Sequence, residues 1–496
     1  MPSDDPYDEL VDRIETIAAV EDAGGVLRWD QEVMMPAGGT PARSAQLSAL
    51  SSVGHEMLVD DETAELLDAL ESVDLDPGQR AVVREIRRRY DRNVSVPNEL
   101  VEEISRASSE AHPAWTAAKE DADFEAFAPH LERLLDLQRE RAEAIDPEAD
   151  PYAVLFADYE PYLGIEIAED VLGTLRNALP PLIEEVRDAD TSPPSSPLAG
   201  EHGDDDQLAL VRRLLGDLGY DWDRGRLDTA PHPFSSGTPF DARVTTRVDP
   251  DEPLSALTST IHEFGHALYT QGLPQEHYGT PLGESRDLTV HESQSRLWEN
   301  HVARSRPFWE YALPIVEEEL GVSTTVDAAY EAANRVRPDN VIRVEADELT
   351  YHLHVVLRFE IERDLVRGDL AVEEVPRVWN DRMERYLGVR PDDDGEGCLQ
   401  DIHWSHGSFG YFPTYTLGSV LAAQLDAAMR AEIGDVDARI ASGDFDALRD
   451  WLGETIHRHG QRYTTDDLID RATGEALTAD HYLEHVEEKY GDLYGI

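Results

Sequence analysis

The sequence predicts a large, mostly α-helical fold with a small β-sheet, and three observations predict it. Apolar residues recur at three- and four-residue steps along most of the 496-residue chain, clear strand-like alternation is rare, and the chemically densest motif sits inside a helical pattern. In chain order the helical runs include Arg80 to Arg92, where Val82, Val83, Ile86 and Tyr90 share a face, then Leu100 to Ala111, Phe127 to Ala144, Ile165 to Asp188 and Leu417 to Ile433. The best strand pattern is Asp241 to Val248, in which Ala242, Val244, Thr246 and Val248 alternate with Arg243, Thr245 and Arg247. Pro253 opens a further helix, along which Leu254, Leu257, Ile261, Phe264 and Leu268 repeat until Gly272 and Pro274 stop it; another helical run extends from about Leu288 to His301. Ala189 to Asp206, with Ser192-Pro193-Pro194-Ser195-Ser196-Pro197 and Asp204-Asp205-Asp206, reads as a surface loop or linker. Both its flanks are helical, so it separates helices within one domain spanning residues 1–496.

Charge bounds the partners. Lys and Arg total 43 against 103 Asp and Glu, a net charge of −60, and Lys119 and Lys489 are the only lysines. Such a surface repels nucleic acid and anionic membrane. The acids are spread along the chain, and 41% hydrophobic content with eight Trp calls for a folded core rather than disorder. A salt-rich cytosol explains the surplus, because a Debye length of roughly 3 Å at 1 M salt removes the self-repulsion. Instability in dilute buffer follows. Cys398 stands alone, so no internal disulfide forms. The start, Met1-Pro2-Ser3-Asp4-Asp5, has no basic region followed by an apolar stretch, and no run approaches the ~18 apolar residues of a membrane span. These features predict a soluble, cytoplasmic protein.

The segment Ile261-His262-Glu263-Phe264-Gly265-His266 carries the chemistry. On a helix, residues i and i+4 lie one turn apart, so both imidazoles can reach one metal ion while Glu263 faces a water bound to it. The implied reaction is hydrolysis. The metzincin extension needs a Gly three residues after His266 and a His six residues after it; Tyr269 and Gly272 stand there, which excludes that class. A third ligand is required, and Asp287, His291, Glu292 and Glu299 are candidates on the next helical run. Glu292 is the choice because His-His-Glu is a common catalytic zinc set, with Glu299 read as a solvated charge; spacing alone does not separate them. Asp287 and Asp347 are conceivable carboxylate partners for the histidines.

Amide hydrolysis also needs donors for the tetrahedral oxyanion and a proton for the leaving amine. The segment Gln400 to Tyr415 gathers His403, His406, Tyr411 and Tyr415 among glycines, as a substrate-facing loop would. A peptidase that trims ends must hold a terminal charge, for which the planar guanidinium is suited; Arg335, Arg337 and Arg343 are candidates that spacing cannot rank.

Taken together, these motifs resemble the carboxypeptidase Taq family of metallocarboxypeptidases, family M32. The resemblance rests on His232-Pro233-Phe234, Asp241-Ala242-Arg243-Val244-Thr245, His262-Glu263-Phe264-Gly265-His266, His291-Glu292-Ser293-Gln294, Ile342-Arg343-Val344-Glu345-Ala346-Asp347 and Gly397-Cys398-Leu399-Gln400-Asp401-Ile402-His403-Trp404, in that order, with Trp29 to Pro36 near the start. It implies a helical fold with a deep groove, like thimet oligopeptidase and angiotensin-converting enzyme, usually as a homodimer. It also implies Glu292 as third ligand and Arg343 as anchor for the substrate's terminal carboxylate, with Arg337 a weaker choice. The His406 and Tyr415 pair would steady the tetrahedral intermediate, and His232 and His403 would line the pocket. The expected activity is release of single C-terminal residues with broad specificity, dependent on Zn²⁺, with Co²⁺ able to occupy the same geometry. The rivals are an oligopeptidase that cuts internally or removes dipeptides, and a metal-binding scaffold without turnover, against which the intact Glu263 speaks.

Overall fold

Each predicted helical run except Leu288 to His301 lies inside one helix of the computed structural model, which describes residues 5–496 except Ser192, Ser195, Ser196 and Ala199. Arg80 to Arg92 falls within Pro77–Val94, which starts at a capping box: the Asp76 carboxylate accepts from the Gly78 and Gln79 amides, and the Gln79 side chain accepts from the Asp76 amide. Leu100 to Ala111 lies within Asn98–Asp121, Phe127 to Ala144 within Phe124–Ile145, and Leu417 to Ile433 within Pro413–Ile433. The helices Ile165–Asp188 and Pro253–Gly272 have the limits that periodicity and punctuation predict.

Three boundaries differ, the first being the strand predicted as Asp241 to Val248, which ends at Thr246. Asp204, Asp205 and Asp206 form the first turn of the helix Asp204–Leu218 rather than the end of a loop, because carboxylates there meet the partial positive charge of the helix N-terminus. Four residues of the predicted loop, Ser192, Ser195, Ser196 and Ala199, and the Met1 to Asp4 start lie outside the described residues. The run predicted from Leu288 to His301 is α-helical only over Leu288–Arg296 and continues as a π-helix over Leu297–Ala303.

The sheet has three strands, β1 (Gly225–Thr229), β2 (Ser235–Thr238) and β3 (Asp241–Thr246), in the order β1-β3-β2. Central β3 pairs parallel with β1 and antiparallel with β2, with Val244 opposite Leu227 and Ser235. It ends at Thr246, whose hydroxyl lies 2.6 Å from that of Thr260, so the sheet is tied to the helix Pro253–Gly272 two residues before His262. The main core gathers apolar side chains from Ala111 to Tyr494, and a second cluster joins Leu10, Ile14, Leu67, Val82 and Ile86 of the N-terminal helices to Leu282. The buried Glu85–Arg286 pair, with contacts of 3.0 and 3.2 Å, links these helices to the segment leading into the helix Leu288–Arg296. No helix among the described residues is long and apolar enough to cross a membrane.

Candidate metal centre and substrate site

His262 and His266 project from one face of the helix Pro253–Gly272, with ring centroids 4.9 Å apart, and Glu292 reaches them from the helix Leu288–Arg296. Two glycines permit this approach. A Cβ on Gly265 would lie 2.5 Å from the Ser295 Cα, and one on Gly418, in the helix Pro413–Ile433, would lie 2.4 Å from the Glu292 Cβ. The two helices flanking Glu292 therefore close on it backbone to backbone.

The Glu292 Oε2 lies 3.9 Å from His262 Nε2 and 3.5 Å from His266 Nε2. These three residues form the one group of metal-ligating side chains among the described residues, with ligand atoms within 4.8 Å of one another. Ligands about 2.0–2.1 Å from a tetrahedral ion lie roughly 3.3 Å apart, so the set closes on a divalent metal with small movements. The remaining ring atoms are committed in the sense such a site requires: His262 Nδ1 is 2.9 Å from Glu299 Oε2, and His266 Nδ1 is 3.1 Å from the His291 carbonyl and 2.6 Å from His291 Nδ1. With Nδ1 of each ring held, Nε2 faces Glu292. Arg296 donates to Glu292 Oε1 at 2.8 Å and leaves Oε2 for the histidines. Burial pushes the Glu292 carboxyl up, but Arg296, His262 and His266 outweigh it and hold the group well below the usual carboxylate range.

The other third-ligand candidates have different tasks. Burial holds His291 neutral, with a pKa lowered to about 3, and it supports His266. Asp287 heads its helix beside Thr465 and Arg286. Glu299 is not a solvated charge: at 6% exposure it joins His262 to Arg296 and Arg304, at 2.9, 3.2 and 2.8 Å. It takes the place that the sequence offered to Asp287 or Asp347. Asp347 is used locally, accepting from the Arg337, Leu349 and Thr350 amides. The half-buried Glu263 carboxylate makes no hydrogen bond or ion pair to a described residue in this structure.

The structure pairs Tyr415 with His403, whose Nε2 lies 3.3 Å from the Tyr415 hydroxyl, and not with His406. His406 is exposed and stacks on His112 of the helix Asn98–Asp121 at 5.0 Å. The reason is local: the 3-10 turn His403–His406 ends at Gly407 (φ +70), whose outer side packs near Gln138 and Leu134, so the end of the turn faces the neighbouring helices. His403 points inward against Phe412, and burial lowers it to about 4, so it is neutral at physiological pH.

Arg343 is buried, donating to Asp401 through Nε and Nη2 and to the Tyr351 hydroxyl through Nη1. The ring of Tyr351 lies under the Arg296 guanidinium at 4.9 Å, so one tyrosine and one arginine separate Arg343 from Glu292. Arg337 is exposed and contributes its backbone amide to Asp347, while His232 is exposed just before β2; neither contacts the metal set. Sequence reasoning missed Arg296, Arg304, Tyr351 and Arg358. The i, i+4 spacing of Glu292 and Arg296 and the i, i+3 spacing of Arg296 and Glu299 are the local signals that pointed to Arg296.

A buried carboxyl holds the loop that carries His403 and leads into the helix bearing Tyr415. Glu362, on the helix Tyr351–Arg367, accepts from Trp404 Nε1 at 2.8 Å, the Gly410 amide at 3.2 Å and the Tyr152 hydroxyl at 3.3 Å. Burial pushes its pKa from 4.5 to about 8 despite these donors. Its folded pKa is above its free value, so the stability it contributes is full below 4.5 and is lost as pH rises through 8. Thermal unfolding should show this as a loss on the order of 3–5 kcal/mol from acid to alkaline pH. Glu362→Gln, less stable because its amide faces other donors, should lack that fall; an equally steep pH dependence would assign it elsewhere.

The helical frame and a His-His-Glu set on facing helices define the class, a helical metallopeptidase. The chain belongs to the carboxypeptidase Taq (M32) metallopeptidase family, whose pattern matches residues 9–490, and it is a metallocarboxypeptidase, a peptide hydrolase. Thermostable carboxypeptidase 1 of Thermus thermophilus is 38% identical over 506 residues, covering 99% of both chains. The crystal structure of an M32 carboxypeptidase from Deinococcus radiodurans R1 has a TM-score of 0.96 at 40% identity, covering 99% of this chain and 100% of that one. The carboxypeptidase of Pyrococcus furiosus has a TM-score of 0.95 at 36% identity, covering 98% of this chain and 99% of that one.

Proposed function

We propose that this metallocarboxypeptidase holds zinc on His262, His266 and Glu292 and releases single residues from free peptide C-termini with broad specificity. The observation that carries the reading is the adjacency of two unlike binding groups, the His-His-Glu set and the Arg343 guanidinium one tyrosine ring from Arg296. A divalent cation in such a set lowers the pKa of water and polarises the scissile carbonyl, and cobalt suits the same donors. Glu263 takes the proton of the attacking water and passes it to the leaving amine. Tyr415 donates to the developing oxyanion, with its hydroxyl steadied by His403. Arg343 receives the terminal carboxylate, which presents the last peptide bond to the metal set. Arg337 and His232 belong to the outer wall, and His406 to the loop's rim.

The chain acts as one domain and as a homodimer, in the cytoplasm of a salt-adapted organism; the charge of −60 supports salt adaptation and opposes nucleic-acid or membrane partners. Light scattering in molar KCl tests the dimer.

Mass spectrometry of peptide digests in molar KCl tests the activity. An N-blocked peptide with a free C-terminus should lose single residues in succession, and its C-terminal amide should survive. A chelator should stop the reaction and zinc restore it. Release of dipeptides or internal fragments would replace this reading with an oligopeptidase, and full activity and stability in dilute buffer would remove the salt adaptation.

A further inference from the structure

The Arg343 subsite holds more positive charge than its visible partner balances. Asp401 receives Arg343 on Oδ1, at 3.0 Å from Nε and 2.9 Å from Nη2, and Arg358 on Oδ2, at 2.5 Å from Nε. One carboxylate serves two guanidiniums, so the three groups carry a net charge of +1. Arg358 has 0% exposure, lies over Trp379 at 4.5 Å and donates from Nη1 to the His354 carbonyl at 2.7 Å, so it has no surface to offer a substrate. Burial, against the pull of Asp401, brings it down to about 10, so it is a cation at neutral pH. Burial likewise pushes Asp401 up, but Arg358 and Arg343 hold it well below the carboxylate range. A lone Arg343–Asp401 pair would be neutral and its arginine already satisfied. Burying a second cation against a single shared carboxylate is costly. Arg343 spends one N–H of each nitrogen on Asp401 and Tyr351, which leaves two of its five N–H groups.

We propose that Arg358 is a positioning residue for carboxylate recognition: by engaging the second oxygen of Asp401, it keeps that carboxylate from neutralising Arg343, so the subsite stays cationic for the substrate's C-terminus. This rests on Arg343 as the anchor.

The test compares metal-loaded Arg358→Gln, which keeps a donor towards Asp401 without the charge, with Arg358→Lys, which keeps the charge. For an N-blocked dipeptide with a free carboxylate, Arg358→Gln should raise KM about tenfold with kcat within about twofold, and should weaken inhibition by a product amino acid by the same factor. Arg358→Lys should return KM to within about threefold of the parent. A merely structural role would lower kcat and would not distinguish the two variants. An unchanged KM in folded Arg358→Gln overturns the proposal. If that variant does not fold, a tenfold KM rise in folded Arg358→Lys overturns it and a near-parental KM supports it. Arg343→Gln separates the two levels: if it leaves KM unchanged, the anchor reading itself fails, whereas if it raises KM and Arg358→Gln does not, only the role of Arg358 fails.

Discussion

Replacement of Glu263 by Gln should leave metal binding intact while kcat falls by about 10³-fold, the scale of a positioned general base. The geometry separates the two properties. His262, His266 and Glu292 make up the ligand group without Glu263, which is half-buried and unpaired among the described residues. The amide of Gln preserves shape but takes no proton from water. Metal content by elemental analysis and kcat on an N-blocked dipeptide read the two effects independently. Full activity with normal metal content would sink the mechanism, and loss of metal would show that Glu263 also serves as a ligand.

Glu299→Gln should weaken metal binding by about 10- to 100-fold, the usual effect of removing a carboxylate that holds a ligating histidine. Glu299 fixes the ring of His262 through Nδ1, 2.9 Å away, and is itself held by Arg296 and Arg304. These arginines outweigh its burial and keep it ionised, well below the usual carboxylate range. Loss of its charge leaves two half-buried guanidiniums undercompensated, so a fall in stability accompanies the loss of affinity. Competition with a graded chelator measures the first and thermal unfolding the second. An unchanged chelator midpoint in the folded variant would mean that His262 is oriented without Glu299.

The contrast between Glu292 and Glu299 shows how far the sequence could be read. Both lie downstream of the histidines on one helical run, seven residues apart, and spacing alone could not divide the roles. Glu292 was chosen for its donor type and strengthened by resemblance, and it lies with His262 and His266 because Gly265 and Gly418 let three helices meet at its stem. Glu299 looked like any of the chain's 103 acids, and nothing in its neighbours' identities announced that the π-helix would bury it among two arginines and a histidine. His403 and His406 make the same point at shorter range. Both are histidines of one glycine-rich segment, and only the packing of their 3-10 turn sets one against Tyr415 and the other against His112.

By itself the sequence determined the helical class, the limits of the helix Pro253–Gly272, the position of the central strand, and the one-turn spacing of two imidazoles, because backbone periodicity and hydrogen-bond geometry are local properties. Only the tertiary structure decided which carboxylate faces those imidazoles, which one holds His262 from behind, and that one aspartate is shared between Arg343 and Arg358. Residues up to 58 apart meet in the last of these contacts. The charge balance of a buried site is fixed by which groups lose their water together, a choice made by packing and not by order along the chain.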